Sequence, residues 1–204
     1  MEIKDRFTGR IIFSAEANDI KDLVQAAVKQ GVDLSGAYLP KVDLSNIDLT
    51  GAKLRGADLT GANLSHTNLP GADFSGATLI WADFGYAYLR KANMEAANAS
   101  GANFGGASLA YAKARSAEFG GASMPYTNFS NADLSYTNLS YADMSNASLY
   151  MANTEGSNQR GANLDNIVGL PEQPEETQGF VATMDDDNGF RPAATQGFTY
   201  SPGD

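Results

Sequence analysis

The sequence predicts an all-β solenoid that turns a corner every five residues, and three observations carry the prediction. From Leu34 to Leu164, 27 positions in unbroken five-residue register form a row of centres: 15 are Leu, five Phe, three Met and two Ala, and only Thr154 and Gln159 are polar. Two places before each centre, from Val32 to Ala162, stands a smaller residue, which is Ala in 20 of the 27 cases. The aromatic residues are sorted as well. Phe74, Phe84, Phe104, Phe119 and Phe129 all fall on centres, whereas Trp81 and the eight Tyr of this stretch never do.

A period of five fits neither the 3.6 of a helix nor the 2.0 of a strand. It fits a chain that bends through about 90° at each unit, so that four sides close a square of about 20 residues and successive squares stack at the ~4.8 Å spacing of paired strands. One large and one small side chain per side then fill the interior. Tyrosine, whose hydroxyl needs a partner, is costly in such a dry core, while phenylalanine fits it. The remaining positions read as surface: Asp33, Asp43, Asp58 and Asn63 before the centre, and Ser35, Ser45 and Thr60 after it. Gly36, Gly51, Gly56, Gly61 and Gly71 follow at the corner, where a positive φ is cheap for glycine. The 27 units, four to a coil, make nearly seven coils and a rod of roughly 30 Å.

The elements divide the chain into residues 1–31, 32–167 and 168–204. Stacked coils leave open ends that need caps. In the first segment, Ile3 to Phe7 and Arg10 to Phe13 flank Thr8-Gly9 as a short hairpin. Ala17 to Lys29 then reads as an amphipathic capping helix with Ile20, Leu23, Val24, Ala27 and Val28 on one face and Gly31 at its end. At the far end the interior turns polar at Thr154, Ser157 and Gln159, which predicts a loose last coil. Beyond Gly169-Leu170-Pro171 the composition shifts to Pro, Glu, Asp, Gln and Gly, an acidic flexible arm unable to bury a core of its own. "TQGF" at Thr177–Phe180 and Thr195–Phe198, with "DNGF" at Asp187–Phe190 between them, spaces aromatic anchors along it. Phe180, Phe190 and Phe198 are candidate contacts if the arm folds onto a partner; a solvated tail is the other reading.

The net charge of −10 opposes general nucleic-acid binding, which needs a basic surface. Its distribution matters more. Residues 1–33 hold six acids and five bases, 34–164 ten and eight, and 165–204 eight and one, so the acidity sits mostly in the arm. The chain has no cysteine, hence no disulfide, thiol nucleophile or Cys-ligated metal. Residues 1–6 lack the apolar run of a signal peptide, and no stretch approaches the ~18 apolar residues of a membrane-spanning helix. The expected location is therefore the cytoplasm or something assembled inside a cell.

Catalytic candidates are few. His66 is the one histidine, at an outward corner beside Ser65 and Asn68, and forms neither triad nor metal site. Asp185-Asp186-Asp187-Asn188-Gly189 resembles a calcium loop, but in that register Met184 and Thr195 stand where acids are required. Gly105-Gly106 and Gly120-Gly121 are corners of the repeat, without the helix that a phosphate loop needs. No enzyme, metal site or cofactor is expected. What remains is surface. Residues 20 apart share a face, which sets Trp81 between Gly61 and Gly101, Tyr86 between His66 and Gly106, Tyr126 one coil beyond, and Tyr141 on the face of Trp81. Exposed aromatics with little bulk around them suit protein contacts. Because tyrosines occur on several faces, solitary surface residues are the competing reading.

Units such as Ala57-Asp58-Leu59-Thr60-Gly61 and Ala62-Asn63-Leu64-Ser65-His66 resemble the pentapeptide repeat family, whose pattern is A-(D/N)-L-x-x. The resemblance covers about 130 residues and implies that family's right-handed quadrilateral β-helix. A rod with a capping module and an acidic, aromatic-bearing arm suits a structural or adaptor protein, and the N-terminal arrangement looks like that of phage- and prophage-encoded members, which implies a virion, as a capsid or tail decoration, for its setting. Its expected partners are other proteins, phage capsid or tail proteins among them, with self-association left open. Other members resemble a DNA duplex in size and charge and bind type II topoisomerases such as DNA gyrase. That alternative is weakened by the near-neutral repeat region, with Lys41, Lys53, Arg55, Arg90, Lys91, Lys113 and Arg115 along it, and by a Pro-rich tail in place of the helical segment through which the mimics pair.

Overall fold

The computed structural model describes residues 1–169. From Asp33 to Val168 the chain is a solenoid in which each residue of one row is bridged in parallel to the residue 20 further on, as in Asp43 to Asn63 to Asp83 to Asn103. Each side contributes a single bridged residue rather than a strand, because most of its five residues are taken up by the turn.

Backbone hydrogen bonds explain the period. The amide of the centre Leu59 donates to Thr78 O on the next coil (2.8 Å), and that of the corner Gly61 to Ile80 O (2.8 Å). The amide of the small residue Ala62 closes the turn onto Leu59 O (2.9 Å), and that of Asn63 donates back to Val42 O on the preceding coil (2.9 Å). One amide per unit is left over, on the residue after the centre. The side chain two places earlier accepts it: Ser65 N donates to Asn63 Oδ1 at 3.0 Å, and Thr60 N to Asp58 Oδ1 at 3.0 Å. Where the row read above as plain surface holds Asp or Asn, it thus satisfies the fifth amide of its unit, as an Asx turn does. Every Asp or Asn in that row serves in this way except Asn68, which is followed by Pro70 with no amide to offer. In two of the units without Asp or Asn, Pro40 after Tyr38 and Pro125 after Ser123, proline removes the donor itself.

The centres and the small row form one core. Leu59 and Phe84 are fully buried, and Phe84 stacks on Phe104 one coil away with centroids 4.9 Å apart. Three threonines stand in for alanine there, with their hydroxyls satisfied: Thr67 on Leu44 O (2.6 Å), Thr127 on Phe104 O (2.7 Å) and Thr137 on Leu134 O (2.7 Å). Thr154, Ser157 and Gln159 are only partly buried, and Gln159 Nε2 donates to Ser157 Oγ at 2.9 Å. Polar side chains cost little here because, among the described residues, no further coil covers them.

The corners correct the glycine expectation. All 27, from Gly36 to Asn166, have positive φ, and 16 of them are not glycine, among them His66 (57°), Trp81 (59°) and Tyr86 (57°). A non-glycine residue accepts this backbone at a cost of ~1–2 kcal/mol, and the corner amide's bond to the next coil offsets it.

The N-terminal segment comprises β1 (Glu2–Lys4), β2 (Ile11–Ser14) and α1 (Ile20–Lys29). The first strand is shorter than expected, while the second keeps its four residues and starts one later; Asp5 closes the connection, its Oδ1 accepting from the amides of Phe7 (3.0 Å) and Thr8 (2.7 Å) and from the Thr8 hydroxyl (2.8 Å). The helix begins at Ile20 rather than Ala17, since Asp19 caps it by accepting from Asp22 N at 2.8 Å. β1 lies antiparallel against the first coil, with Tyr38 N donating to Lys4 O and Arg6 N to Gly36 O, both at 2.8 Å. Ile3, Leu23, Val24 and Ala27 join the core.

Candidate functional site

The corner positions assemble the exposed aromatics. Trp81 and Tyr141 lie in one corner column, and Tyr86 and Tyr126 in the next. The two columns are the two edges of the same side of the solenoid, the side that carries Asp83 and Gly85, Asn103 and Gly105, Ser123 and Pro125, and Asp143 and Ser145 on successive coils. All four aromatic residues are 64–71% exposed. Tyr38, Tyr88, Tyr111, Tyr136 and Tyr150 belong to other sides or corners.

Their rings run along the stack. A Cβ at Gly101 would stand 2.7 Å from Trp81 Cε3, and one at Gly106 the same distance from Tyr86 Cδ1; Gly161 stands in that relation to Tyr141. Tyr86 also stacks on His66, centroids 5.2 Å apart and planes within 8°. The histidine thus packs against a candidate contact residue. Elsewhere the tyrosine corners are occupied by the protein's own cations: the Arg90 guanidinium lies 4.4 Å from the Tyr111 centroid, and that of Arg115 lies 4.6 Å from Tyr136.

Charge is divided among the sides. Lys53, Arg55, Lys113 and Arg115 share one side with Asp73, Glu95, Asp133 and Glu155. Between the aromatic columns, from Asn63 to Ser145, the charged residues are Asp83 and Asp143 alone. Asp83 Oδ1 accepts from Gly85 N (2.9 Å) and Asn103 Nδ2 (2.8 Å), and Asp143 Oδ1 from Ser145 N (3.0 Å) and Asn163 Nδ2 (3.1 Å). Reading along the chain missed these two carboxylates; the 20-residue columns are the signal that finds them. Phe180, Phe190 and Phe198 lie outside the described residues. Among the described residues no group of three or more acids and histidines could hold a metal ion, and no helix is long and apolar enough to cross a membrane.

The model of the family described as "Pentapeptide repeats (8 copies)" matches residues 30–65, 57–95, 87–124 and 115–149. The chain belongs to the pentapeptide repeat family. No curated protein matches it. Among solved structures it is similar to full-length QnrB1, a plasmid-mediated fluoroquinolone resistance protein, at 15% identity over 64% of this chain and 92% of that one, TM-score 0.25. It is similar to HetL, a pentapeptide repeat protein involved in heterocyst differentiation regulation from the cyanobacterium Nostoc, at 25% identity over 65% and 89%, TM-score 0.19. A pentapeptide repeat protein of the Arabidopsis thaliana thylakoid lumen shares 30% identity over 49% and 66%, TM-score 0.21. Superpositions this loose carry no functional argument, so the function of this pentapeptide repeat protein has to be argued from its own surface.

Proposed function

We propose that the protein is a non-enzymatic docking protein, a right-handed quadrilateral β-helix that binds other proteins through its side between the aromatic corners and through the arm of residues 168–204. The observation that carries the reading is the setting of Trp81, Tyr86, Tyr126 and Tyr141, all largely exposed, along the two edges of one side floored by small residues. Exposed rings held by a rigid backbone supply contact area at little entropic cost, as interface anchors do. A virion setting, on a capsid or tail, is part of the proposal and rests on the N-terminal resemblance.

The competing reading is a duplex mimic that binds a type II topoisomerase. A duplex of roughly 30 Å carries about 18 phosphate charges at one per ~1.7 Å. Residues 34–164 carry ten acids and eight bases. The charge density favours docking.

A photo-crosslinking side chain placed at Trp81 or Tyr126 of the full chain, in the cells that produce it, is expected to trap a discrete protein adduct that the same group at Ser75 does not. No adduct from either position sinks the proposal for this side, and removal of residues 170–204 without loss of association sinks it for the arm. Inhibition of a topoisomerase supercoiling assay at submicromolar protein overturns the docking reading in favour of the mimic.

A further inference from the structure

We propose that the side between the aromatic corners receives a cationic, extended segment of the partner, whose arginine or lysine side chains meet Asp83 and Asp143 while its chain lies beside Trp81, Tyr86, Tyr126 and Tyr141. The inference rests on the docking reading above and names its partner chemistry.

Three observations converge on a cation. From Asn63 to Ser145 this side carries two carboxylates and no lysine or arginine, while the charged side carries four such bases. Both carboxylates are held through Oδ1 by a backbone amide and an asparagine. Among the described residues neither Oδ2 accepts a hydrogen bond, so each is pre-oriented and open to a donor. The third observation comes from elsewhere on the molecule, where Tyr111 and Tyr136 hold Arg90 and Arg115 over their rings. The four aromatics of this side have no arginine or lysine over their rings among the described residues, and Tyr86 alone carries a stacked ring, His66. An incoming guanidinium would gain there what those two arginines gain internally.

Spacing fixes the segment's conformation. Asp83 and Asp143 are three coils apart in one column, about 14 Å at ~4.8 Å per coil. An extended chain rises ~3.3 Å per residue and points every second side chain the same way, so residues i and i+4 span that distance on one face. A segment with basic residues at alternate positions therefore reaches both carboxylates in one pose, its backbone running along the stack.

The protein carries its own reporter, since Trp81 is its one tryptophan. The full chain is titrated with a short alternating Arg-Gly peptide, with Ser-Gly and Glu-Gly peptides as controls. The expected result is a saturable change in Trp81 emission with the Arg-Gly peptide alone, which weakens as salt is raised. The double variant Asp83→Asn, Asp143→Asn is expected to lose that response at an unchanged melting temperature. Asparagine keeps the Oδ1 acceptor, as Asn63 and Asn103 do in the same column. Equal response to all three peptides, no response, or full response in the double variant overturns the inference. Cross-linking from Trp81 to an acidic or apolar segment also overturns it, and leaves the docking reading standing.

Discussion

Trp81 occupies the space that a side chain on Gly101 would need. A Cβ there would lie 2.7 Å from Cε3 and from Cζ3 of the indole, and Gly101 has a φ of 67°. Gly121, the next residue of that column, has a φ of 65° and open space around it. The two glycines share one backbone demand and differ in one neighbour.

Gly121→Ala is accordingly expected to cost about 1 kcal/mol, the left-handed backbone penalty alone. Gly101→Ala adds the displacement of Trp81 and is expected to cost more and to change the tryptophan emission. Denaturant melts of the two variants, read by circular dichroism and fluorescence, check this. Equal costs and an unchanged spectrum for both would mean that the indole does not rest on Gly101.

The second expectation concerns the row of Asp and Asn. Asp48 Oδ1 accepts from Thr50 N (3.0 Å), Thr50 Oγ1 (2.5 Å) and Asn68 Nδ2 (3.1 Å). Asp48→Ala leaves that amide without its acceptor and should cost about 1 kcal/mol, the usual loss for a capping side chain. Asp48→Asn should recover most of it. Equal stability of the alanine and asparagine variants in thermal melts would show that the row is ordinary surface.

These two cases mark what the amino acids disclose along the chain and what they hide. The solenoid was legible because Leu59 and Phe84 repeat a one-dimensional pattern whose period admits few geometries. The duty of Asp48 was hidden, since an acid at a surface position needs no explanation until the amides of each unit are counted. The positive φ of Trp81 was hidden for another reason: its tolerance depends on the corner bond to the next coil and on the residue 20 places on. The candidate side was half legible. Columns of 20 placed Trp81 with Tyr141 and Tyr86 with Tyr126, but only the corner geometry shows that the two columns border one side, with Asp83 and Asp143 between them.

Acid sensitivity follows from the same bonds. The Thr50 hydroxyl and amide hold the Asp48 carboxyl below its ordinary 3.8, the Ser45 amide and hydroxyl do so for Asp43, and the Thr8 hydroxyl and amide do so for Asp5. A carboxyl lowered in the folded state contributes stability that is whole above the unfolded value and is lost as pH falls through the folded one. Their contribution is therefore expected to be complete and independent of pH at neutral pH, and to decline as pH drops below 3.8. Urea midpoints measured down the acid range check this. The Asp43→Asn, Asp48→Asn variant should lose less stability on acidification than the parent, and an equal loss would show that these two acids carry none of the effect.

Arg6 joins the hairpin to coils beyond the one that β1 touches. Its Nη1 donates to Thr78 Oγ1 at 2.9 Å and to Gly56 O at 3.3 Å, and its Nη2 lies 3.9 Å from Asp58 Oδ2. Its side chain is largely buried, 23% exposed, so these contacts are better shielded from solvent than an ordinary surface pair. Arg6→Ala is expected to cost about 1–3 kcal/mol, the range for losing hydrogen bonds to a charged donor. The loss should be local, falling on attachment of the hairpin before it reaches the coils. Hydrogen exchange distinguishes the two: amides of Arg6 and Tyr38, bonded across that seam, should lose protection, while Phe84 and Phe104 amides deep in the stack keep theirs. Arg6→Lys places a single ammonium where three acceptors are spread over two coils, and it should restore only part of the protection. Uniform loss along the whole solenoid would mean instead that the hairpin and coils unfold as one unit, with Arg6 contributing to global stability.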